Sequence, residues 1–217
     1  MFIVTKEGVM VIDPMNDKHA KNMLVEIRNI TDAPIKYLFY SHNHWDHISG
    51  GQVFRDEGAC IISHSIAAKF MKANPNPKVL ILSHGIIIFI LSNHKVVLPD
   101  KVWDGDKYVV SLGGICVELH YLGINHGHGM TTFVVPKLKV GYIADLGNPG
   151  AVLFSFLPDS NIDGMLATLE KYAKFDVEKI VFAHSGNADT LEPGSMKDVK
   201  AIIQYIKVKS NVMKSSA

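Results

Sequence analysis

The chain carries the stretch Ser41-His42-Asn43-His44-Trp45-Asp46-His47, in which three histidines and one aspartate fall within six residues, directly after the apolar run 35–40. The aromatic and β-branched residues of that run predict a strand that ends where the polar residues begin. Imidazole nitrogens and carboxylate oxygens are ligands that zinc and similar divalent ions accept. Because residues two apart in extended backbone point the same way, the first two histidines can bind one ion while Asp46 and His47 turn towards a second. The stretch therefore predicts a metal site.

Length and charge narrow the class of protein. A chain of 217 residues is long enough for one domain with a substantial core, so we expect a single domain over residues 1–217. Its 22 Lys and Arg nearly balance its 21 Asp and Glu, for a formal charge of +1. This balance provides no electrostatic attraction for nucleic acid or an anionic membrane surface. We therefore expect a small-molecule partner, with no nucleic acid and no membrane.

The two cysteines and the N-terminal residues indicate the cellular compartment. Cys60 and Cys116 each stand inside an apolar, strand-like run, where a free cysteine usually behaves as a small buried hydrophobe. Two such cysteines do not indicate a disulfide framework. The first residues lack a basic segment followed by a long apolar one, the pattern of a secretory signal. We therefore expect a cytoplasmic protein.

Turn residues divide the chain into short strand and helix patterns. Strands are predicted at 2–4, 9–12, 35–40, 59–63, 108–112, 115–122, 131–135, 139–144 and 179–182. Helices are predicted from a cap at Asn16 or Asp17 to Ile30, and at 52–57, 65–72, 162–174 and 196–208. Strands interleaved with helices indicate an α/β layered domain.

The segment 79–91 fits this pattern poorly, because it is nearly all apolar yet too short and too interrupted to span a bilayer as a helix. It can be a buried pair of strands or an insertion. We favour an insertion over residues 80–94, and we interpret His84 and His94 as non-ligands.

Further ligand types follow three of the predicted strands. The strand 115–122 leads to a loop with His126 and His128, the strand 139–144 ends at Asp145, and the strand 179–182 leads to His184. Taken singly, Asp145 could cap a turn and His184 could be an ordinary loop histidine. Strand ends fix side chains while leaving room for a substrate, so these residues together with the histidine-rich stretch favour a shared site.

Taken together, these residues match the motifs of a known family. The run from His42 to His47 resembles the HxHxDH signature of the metallo-β-lactamase superfamily, and the resemblance continues in order through the later histidines and aspartate, covering nearly the whole chain from residue 11 to His184. It implies a four-layer αββα sandwich, an α/β fold with a binuclear site at one edge of its two sheets. The resemblance implies one zinc ion at His42, His44 and His126, a second at Asp46, His47 and His184, and Asp145 bridging them.

The other histidines are less well matched. His126 is preferred to His128 because Pro136 follows it by ten residues, as in the family's strand and turn pattern, and His128 is interpreted as a neighbour of the ligands. We expect His64, at a strand end, to approach the cleft. We expect His19 on a helix surface and His120 on a strand face.

The resemblance also implies a chemistry. Two zinc ions would lower the pKa of water from about 15.7 to about 7 and make hydroxide available as the nucleophile at neutral pH. Asp46 could orient that nucleophile or carry a proton to the leaving atom. The expected reaction is cleavage of an ester, thioester, lactone or β-lactam-type carbonyl compound.

Other functions of the same fold remain as alternatives. A nuclease is disfavoured by the near-neutral charge and short length, and a diiron flavoprotein is disfavoured because His44 stands where those proteins have glutamate. A mononuclear iron dioxygenase stays open. So does a catalytically impaired member, because the chain starts close to the strand before Asp13 and the segment 80–94 could disturb the cleft.

Overall fold

The structure is a computed structural model that describes residues 1–75, 78–83, 86–91, 96–147, 159–184 and 192–215, with side chains described for 1–75, 96–147, 159–184 and 192–209. The chain divides into two compact units, Met1–Asp104 and Gly105–Ala217. Each unit is built around one five-stranded sheet. The expectation of a single domain over the whole chain stays a prediction.

The first unit contains a mostly parallel sheet. The strands of the unit are β1 (Phe2–Thr5), β2 (Gly8–Ile12), β3 (Ile35–Phe39), β4 (Cys60–His64), β5 (Lys78–Ser83), β6 (Ile86–Leu91) and β7 (Lys101–Trp103). Its helices are α1 (Asp17–Ile30), α2 (Trp45–Ile48), α3 (Gly51–Asp56) and α4 (Ser65–Ala73). The sheet order is β1-β2-β3-β4-β7, with β2, β3, β4 and β7 parallel. Because parallel strands end at the same edge, the residues that follow these four strands lie along one edge of the sheet.

Helix α1 covers one face of this sheet. Its buried residues Ala20 and Ile27 belong to the same apolar cluster as Val9, Val11 and Leu38 of the sheet. Removing a side chain of the size of Val, Leu or Ile from water contributes about 1.5–3 kcal/mol. This packing holds α1 against β2 and β3, the two strands whose ends carry the polar residues described below.

The apolar segment after α4 forms a hairpin. Strands β5 and β6 pair antiparallel from Lys78 with Leu91 to Ser83 with Ile86, and they form a two-stranded sheet of their own. The backbone is therefore that of a strand pair outside the five-stranded sheet. His84 and His94, interpreted as non-ligands, lie outside the described residues.

In the parts of the chain that the structure describes, no helix has both the length and the apolar character needed to cross a membrane.

The second unit has a mixed sheet. Its strands are β8 (Lys107–Leu112), β9 (Ile115–Tyr121), β10 (Thr131–Val135), β11 (Val140–Ile143) and β12 (Lys179–Phe182), with a 3₁₀ turn at Pro136–Leu138 and helices α5 (Ile162–Tyr172) and α6 (Met196–Ser215). The sheet order is β12-β11-β10-β9-β8. Strand β11 is parallel to β12 and antiparallel to β10, which is itself antiparallel to β9. Strands β9, β11 and β12 therefore run in one direction and end at one edge of the sheet.

Most predicted elements are confirmed within one to three residues, but helix α6 continues past its predicted end at residue 208 to Ser215, and the predicted burial of the two cysteines needs correction. The cap of α1 is Asn16, whose side chain accepts a hydrogen bond from the His19 amide at 3.0 Å. The one-turn helix α2 and the three-residue strand β7 were not predicted, because neither is long enough to show a periodic pattern. The cysteines are free as expected but not buried: Cys60 is half-buried and Cys116 is exposed, because alternation along the strand turns Cys116 outwards.

A close approach in the second unit gives a prediction about stability. A Cβ atom on Gly141 would lie 1.8 Å from the Tyr172 hydroxyl oxygen and 3.2 Å from Val177 Cγ1. We expect Gly141→Ala to lower the free energy of unfolding by about 3 kcal/mol, the upper range for overpacking a core. Denaturant unfolding measures this. Among the described residues the Tyr172 hydroxyl has no hydrogen-bond partner, so Tyr172→Phe is the matched variant. It should be nearly neutral alone and should restore part of the loss in the double variant; no restoration would contradict the steric explanation.

Candidate metal centre

Three imidazoles converge after β3. His42 lies in the loop that follows the strand, His44 occupies the N-cap position of α2, and His47 lies inside α2. The ring centroids of His42 and His44 are 4.5 Å apart, as are those of His42 and His47. His42 and His47 are fully buried and His44 is half-buried. The predicted loop is thus partly helical, and the helical turn brings His47 back towards His42.

A buried carboxylate fixes two of these rings. Asp13, directly after β2, accepts hydrogen bonds from the Ser41 amide at 2.7 Å, the Ser41 hydroxyl at 2.6 Å and His47 Nδ1 at 2.9 Å. Since the single hydroxyl proton of Ser41 goes to Asp13, Ser41 Oγ accepts from His42 Nδ1, which lies 2.9 Å away. Both His42 and His47 therefore carry their proton on Nδ1 and present the lone pair of Nε2, the form that binds a metal.

Asp13 stays ionised in this network. Burial by itself raises the pKa of Asp13, but the hydrogen bonds from His47 and Ser41 and the electrostatic influence of the neighbouring His47 and His42 rings bring the pKa below its ordinary value. A buried carboxylate that orients ligating histidines is the usual support of a metal site. Asp13 was not among the site residues predicted from the sequence. The available signal was its position at the end of β2, next to the strand that carries the histidines.

Asp46 differs from its neighbours in exposure. Its side chain is 44% exposed, whereas that of His47 is fully buried, and Asp46 Oδ2 lies 3.6 Å from His47 Nε2. Asp46 occupies the first turn of α2. A carboxylate beside a ligating nitrogen and open to solvent can both bind a cation and exchange a proton with water.

The second unit places a carboxylate between two imidazoles. Asp145 Oδ2 lies 3.2 Å from His126 Nε2, and Asp145 Oδ1 lies 3.2 Å from His184 Nε2. These residues follow β11, β9 and β12, the three strands that end at the same edge. His126 and Asp145 are buried, while the side chain of His184 is 29% exposed. Ser160 Oγ lies 3.2 Å from His126 Nδ1, so it contacts the ring nitrogen that does not face Asp145.

The donor set fits zinc. All seven predicted ligands belong to groups of histidine and aspartate side chains that could hold metal ions. Imidazole nitrogens with carboxylate oxygens form a common zinc environment. Asp145 turns one oxygen to each of two imidazoles, as a carboxylate shared by two ions would. The full ligand assignment across the chain stays a prediction and is taken up below.

The remaining described histidines lie outside these groups. His64 caps α4, with Nδ1 accepting from the Ile66 amide at 3.2 Å, and its ring packs edge-on against Trp103. The expected approach of His64 to the cleft stays a prediction. His19 is exposed on α1, as predicted. His120 is a buried strand residue bonded to Glu118 at 2.9 Å, and His128 is half-buried.

Comparison with curated proteins gives partial matches. The chain is 26% identical over 126 residues to the 2,4-dinitroanisole O-demethylase subunit alpha of Nocardioides sp. (strain JS1661), covering 58% of this chain and 33% of that protein. It is 38% identical over 56 residues to the linear primary-alkylsulfatase of Pseudomonas sp. (strain ATCC 19151), covering 25% of this chain and 11% of that protein. The matches thus span a third or less of the length of these relatives.

Comparison with solved structures covers nearly the whole chain. A metallo-β-lactamase from Pontibacter korlensis has a TM-score of 0.75 at 17% identity, covering 95% of this chain and 85% of that one. The DIM-1 metallo-β-lactamase has a TM-score of 0.74 at 13% identity, covering 96% and 84%. The predicted fold class is confirmed by this likeness. The model of the metallo-β-lactamase superfamily matches residues 1–184, which include every predicted ligand. This chain belongs to the metallo-β-lactamase superfamily.

Proposed function

We propose that this protein is a dizinc hydrolase that cleaves an ester, thioester, lactone or β-lactam-type carbonyl compound. The observation that carries the proposal is the Asp145 carboxylate, which lies 3.2 Å from one imidazole nitrogen through each of its oxygens. Support comes from the Asp13 network, which sets His42 and His47 in the tautomer that a metal requires. Membership of the superfamily is consistent with both.

The proposal assigns every predicted ligand. The first ion is held by His42, His44 and His126, and the second by Asp46, His47 and His184, with Asp145 shared. Three protein ligands and the shared carboxylate would give each ion four protein ligands, so water or substrate would bind by expansion to five-coordination, which catalytic zinc sites allow. When bound, zinc supplies Lewis-acid polarisation of a carbonyl oxygen and lowers the pKa of water to about 7.

The chain's own residues perform the proton transfers. Asp46 is the ligand of the HxHxDH run whose side chain is both acidic and exposed, so it can take a proton from the attacking water and pass it to the leaving atom. His42 and His47 cannot do this, because each uses its proton in a hydrogen bond that holds the ring. Asp46 is therefore assigned as the catalytic residue.

The proposed substrate is a small molecule. The formal charge of +1 gives no attraction for nucleic acid or an anionic membrane surface. We also place the protein in the cytoplasm, where its two free cysteines would stay reduced. The named substrates of the relatives extend the chemistry to be tested, so an aryl methyl ether and a linear primary alkyl sulfate belong in the substrate panel.

A substrate panel tests the proposal. Zinc-loaded protein is assayed with a chromogenic cephalosporin, an aryl ester, a thioester, a lactone, 2,4-dinitroanisole and a linear alkyl sulfate, before and after chelation and with zinc restored. We expect turnover of at least one carbonyl compound, and we expect His44→Ala to lower kcat/KM about 10²-fold through loss of a metal ligand. His19→Ala is the matched control, because His19 is exposed on α1.

Metal analysis of the same samples separates the alternatives. Two zinc ions per chain with turnover would support the proposal, and one iron per chain would favour a mononuclear dioxygenase. Two bound zinc ions without turnover of any panel member would favour a catalytically impaired member.

A further inference from the structure

The loop that carries His126 is held along one face of α5. Residues 161, 164, 168 and 171 recur at helical spacing, so they share one side of this helix and its cap. Each of the four meets the loop 122–125. Some of these contacts are made by the backbone and others by side chains. Together they fix the backbone that leads into His126.

The cap and first turn of α5 approach the loop through backbone. The Asn161 amide donates to the Asn125 carbonyl oxygen at 2.6 Å. A Cβ atom on Gly164 would lie 1.8 Å from the Ile124 carbonyl oxygen, so no larger residue fits there without moving the loop. The helix and the loop are thus in direct contact at the residue before the ligand.

The second and third turns bind the loop through side chains. Asn125 Nδ2 donates to Thr168 Oγ1 at 3.0 Å and to the Gly123 carbonyl oxygen at 3.0 Å. Lys171 Nζ donates to the Leu122 carbonyl oxygen at 2.7 Å. Asn125 and Thr168 are both buried, so their hydrogen bond does not compete with bulk water.

Asn125 transmits this constraint to the ligand. Its Oδ1 accepts a hydrogen bond from the His126 amide at 2.5 Å, while its Nδ2 is held by Thr168. The amide plane therefore connects the helix to the His126 backbone. Without the Thr168 hydroxyl, a buried NH₂ proton of Asn125 would lose its acceptor, and the side chain would turn towards another.

We propose that Thr168 and Asn125 are positioning residues that lock the His126 loop onto α5 and thereby set the affinity of the site for metal. The proposal rests on the assignment of His126 as a zinc ligand. Partners that orient metal ligands commonly contribute 10- to 100-fold to affinity. Both residues are proposed to act through His126, without touching the ion or the substrate.

The test compares isosteric variants of two buried threonines. Thr168→Val removes the hydroxyl and keeps the shape of the side chain, whereas Thr168→Ser keeps the hydroxyl. Thr132→Val is the matched control, because Thr132 is a buried threonine of β10 whose hydroxyl donates to the His120 carbonyl oxygen. Zinc affinity is measured by competition with a chromophoric chelator. We expect Thr168→Val to weaken it about 10- to 100-fold, with Thr168→Ser and Thr132→Val within about threefold of the parent.

Hydrogen exchange of the metal-free protein gives a readout that does not depend on zinc. The amides of His126 and Asn161 should exchange about tenfold faster in Thr168→Val and at the parental rate in the two other variants. Gly164→Ala, which displaces the loop by a different route, should reproduce both effects.

Each result decides a separate point. Unchanged zinc affinity in Thr168→Val overturns the positioning role, even if exchange rises. Unchanged exchange overturns the lock itself. If the parent binds no zinc, the proposed hydrolase fails, whereas the exchange measurement still decides whether Thr168 holds the loop.

Discussion

Asp145→Asn is expected to lower kcat/KM about 10³-fold and to reduce bound zinc from two ions to one or none. The carboxylate turns one oxygen to His126 and the other to His184, and an asparagine must replace one of these oxygens with an NH₂ group, which cannot bind a metal. Metal ions contribute several kcal/mol to transition-state stabilisation, and each 1.36 kcal/mol corresponds to a factor of ten in rate. The measurements are kcat/KM on whichever panel substrate responds and zinc content by mass spectrometry.

The control for this variant makes the same chemical change elsewhere in the unit. Asp176 is 80% exposed and forms an ion pair with Lys139, so Asp176→Asn should leave both rate and zinc content unchanged. Retention of two zinc ions and of at least a third of the activity in Asp145→Asn would rule out a shared carboxylate at this position.

Asp13→Ala is expected to lower the free energy of unfolding of the metal-free protein by about 3–5 kcal/mol, because each buried hydrogen-bond donor left without its acceptor costs about 1–3 kcal/mol. The change leaves the Ser41 amide, the Ser41 hydroxyl and His47 Nδ1 buried without their acceptor. Asp13 also has a φ of 49°, a left-handed conformation that asparagine and aspartate tolerate better than alanine. Denaturant unfolding measures the loss.

Asp13→Asn separates the two contributions. Asparagine keeps the left-handed preference and one acceptor oxygen, but its NH₂ group would face either Ser41 or His47. We expect about half of the stability loss of Asp13→Ala, together with weaker zinc binding because His47 loses its fixed tautomer. A free energy of unfolding within 1 kcal/mol of the parent for Asp13→Ala would contradict the role of this network.

The ligand types were accessible from the sequence because each follows an apolar strand pattern. The run from His42 to His47 can be recognised because it holds three histidines and one aspartate within six residues. Asp145 and His184 follow strands that the structure confirms. Asp13 was missed as a supporting residue because its partners Ser41 and His47 are 28 and 34 residues away. Only the parallel pairing of β2 with β3 brings them together, and a local pattern does not encode pairing.

The same limit applies to the finer structure. Thr168 appears in the sequence as one more residue of an amphipathic helix, and its bond to Asn125 joins positions 43 residues apart. Helix α2 is a single turn, so its residues could not be distinguished from a loop by periodicity. Cys116 was expected to be buried from the apolar residues around it, although alternation along β9 places it on the outer face.

Diffraction from zinc-loaded crystals at the zinc absorption edge tests the central claim most directly. We expect two anomalous peaks: one with nitrogens of His42, His44 and His126 at about 2.0–2.1 Å, and one with Asp46, His47 and His184 at about 2.0–2.2 Å, with Asp145 reaching both. A single peak, no peak, or His126, Asp145 and His184 lying beyond bonding distance of the metal at residues 42–47 would contradict it.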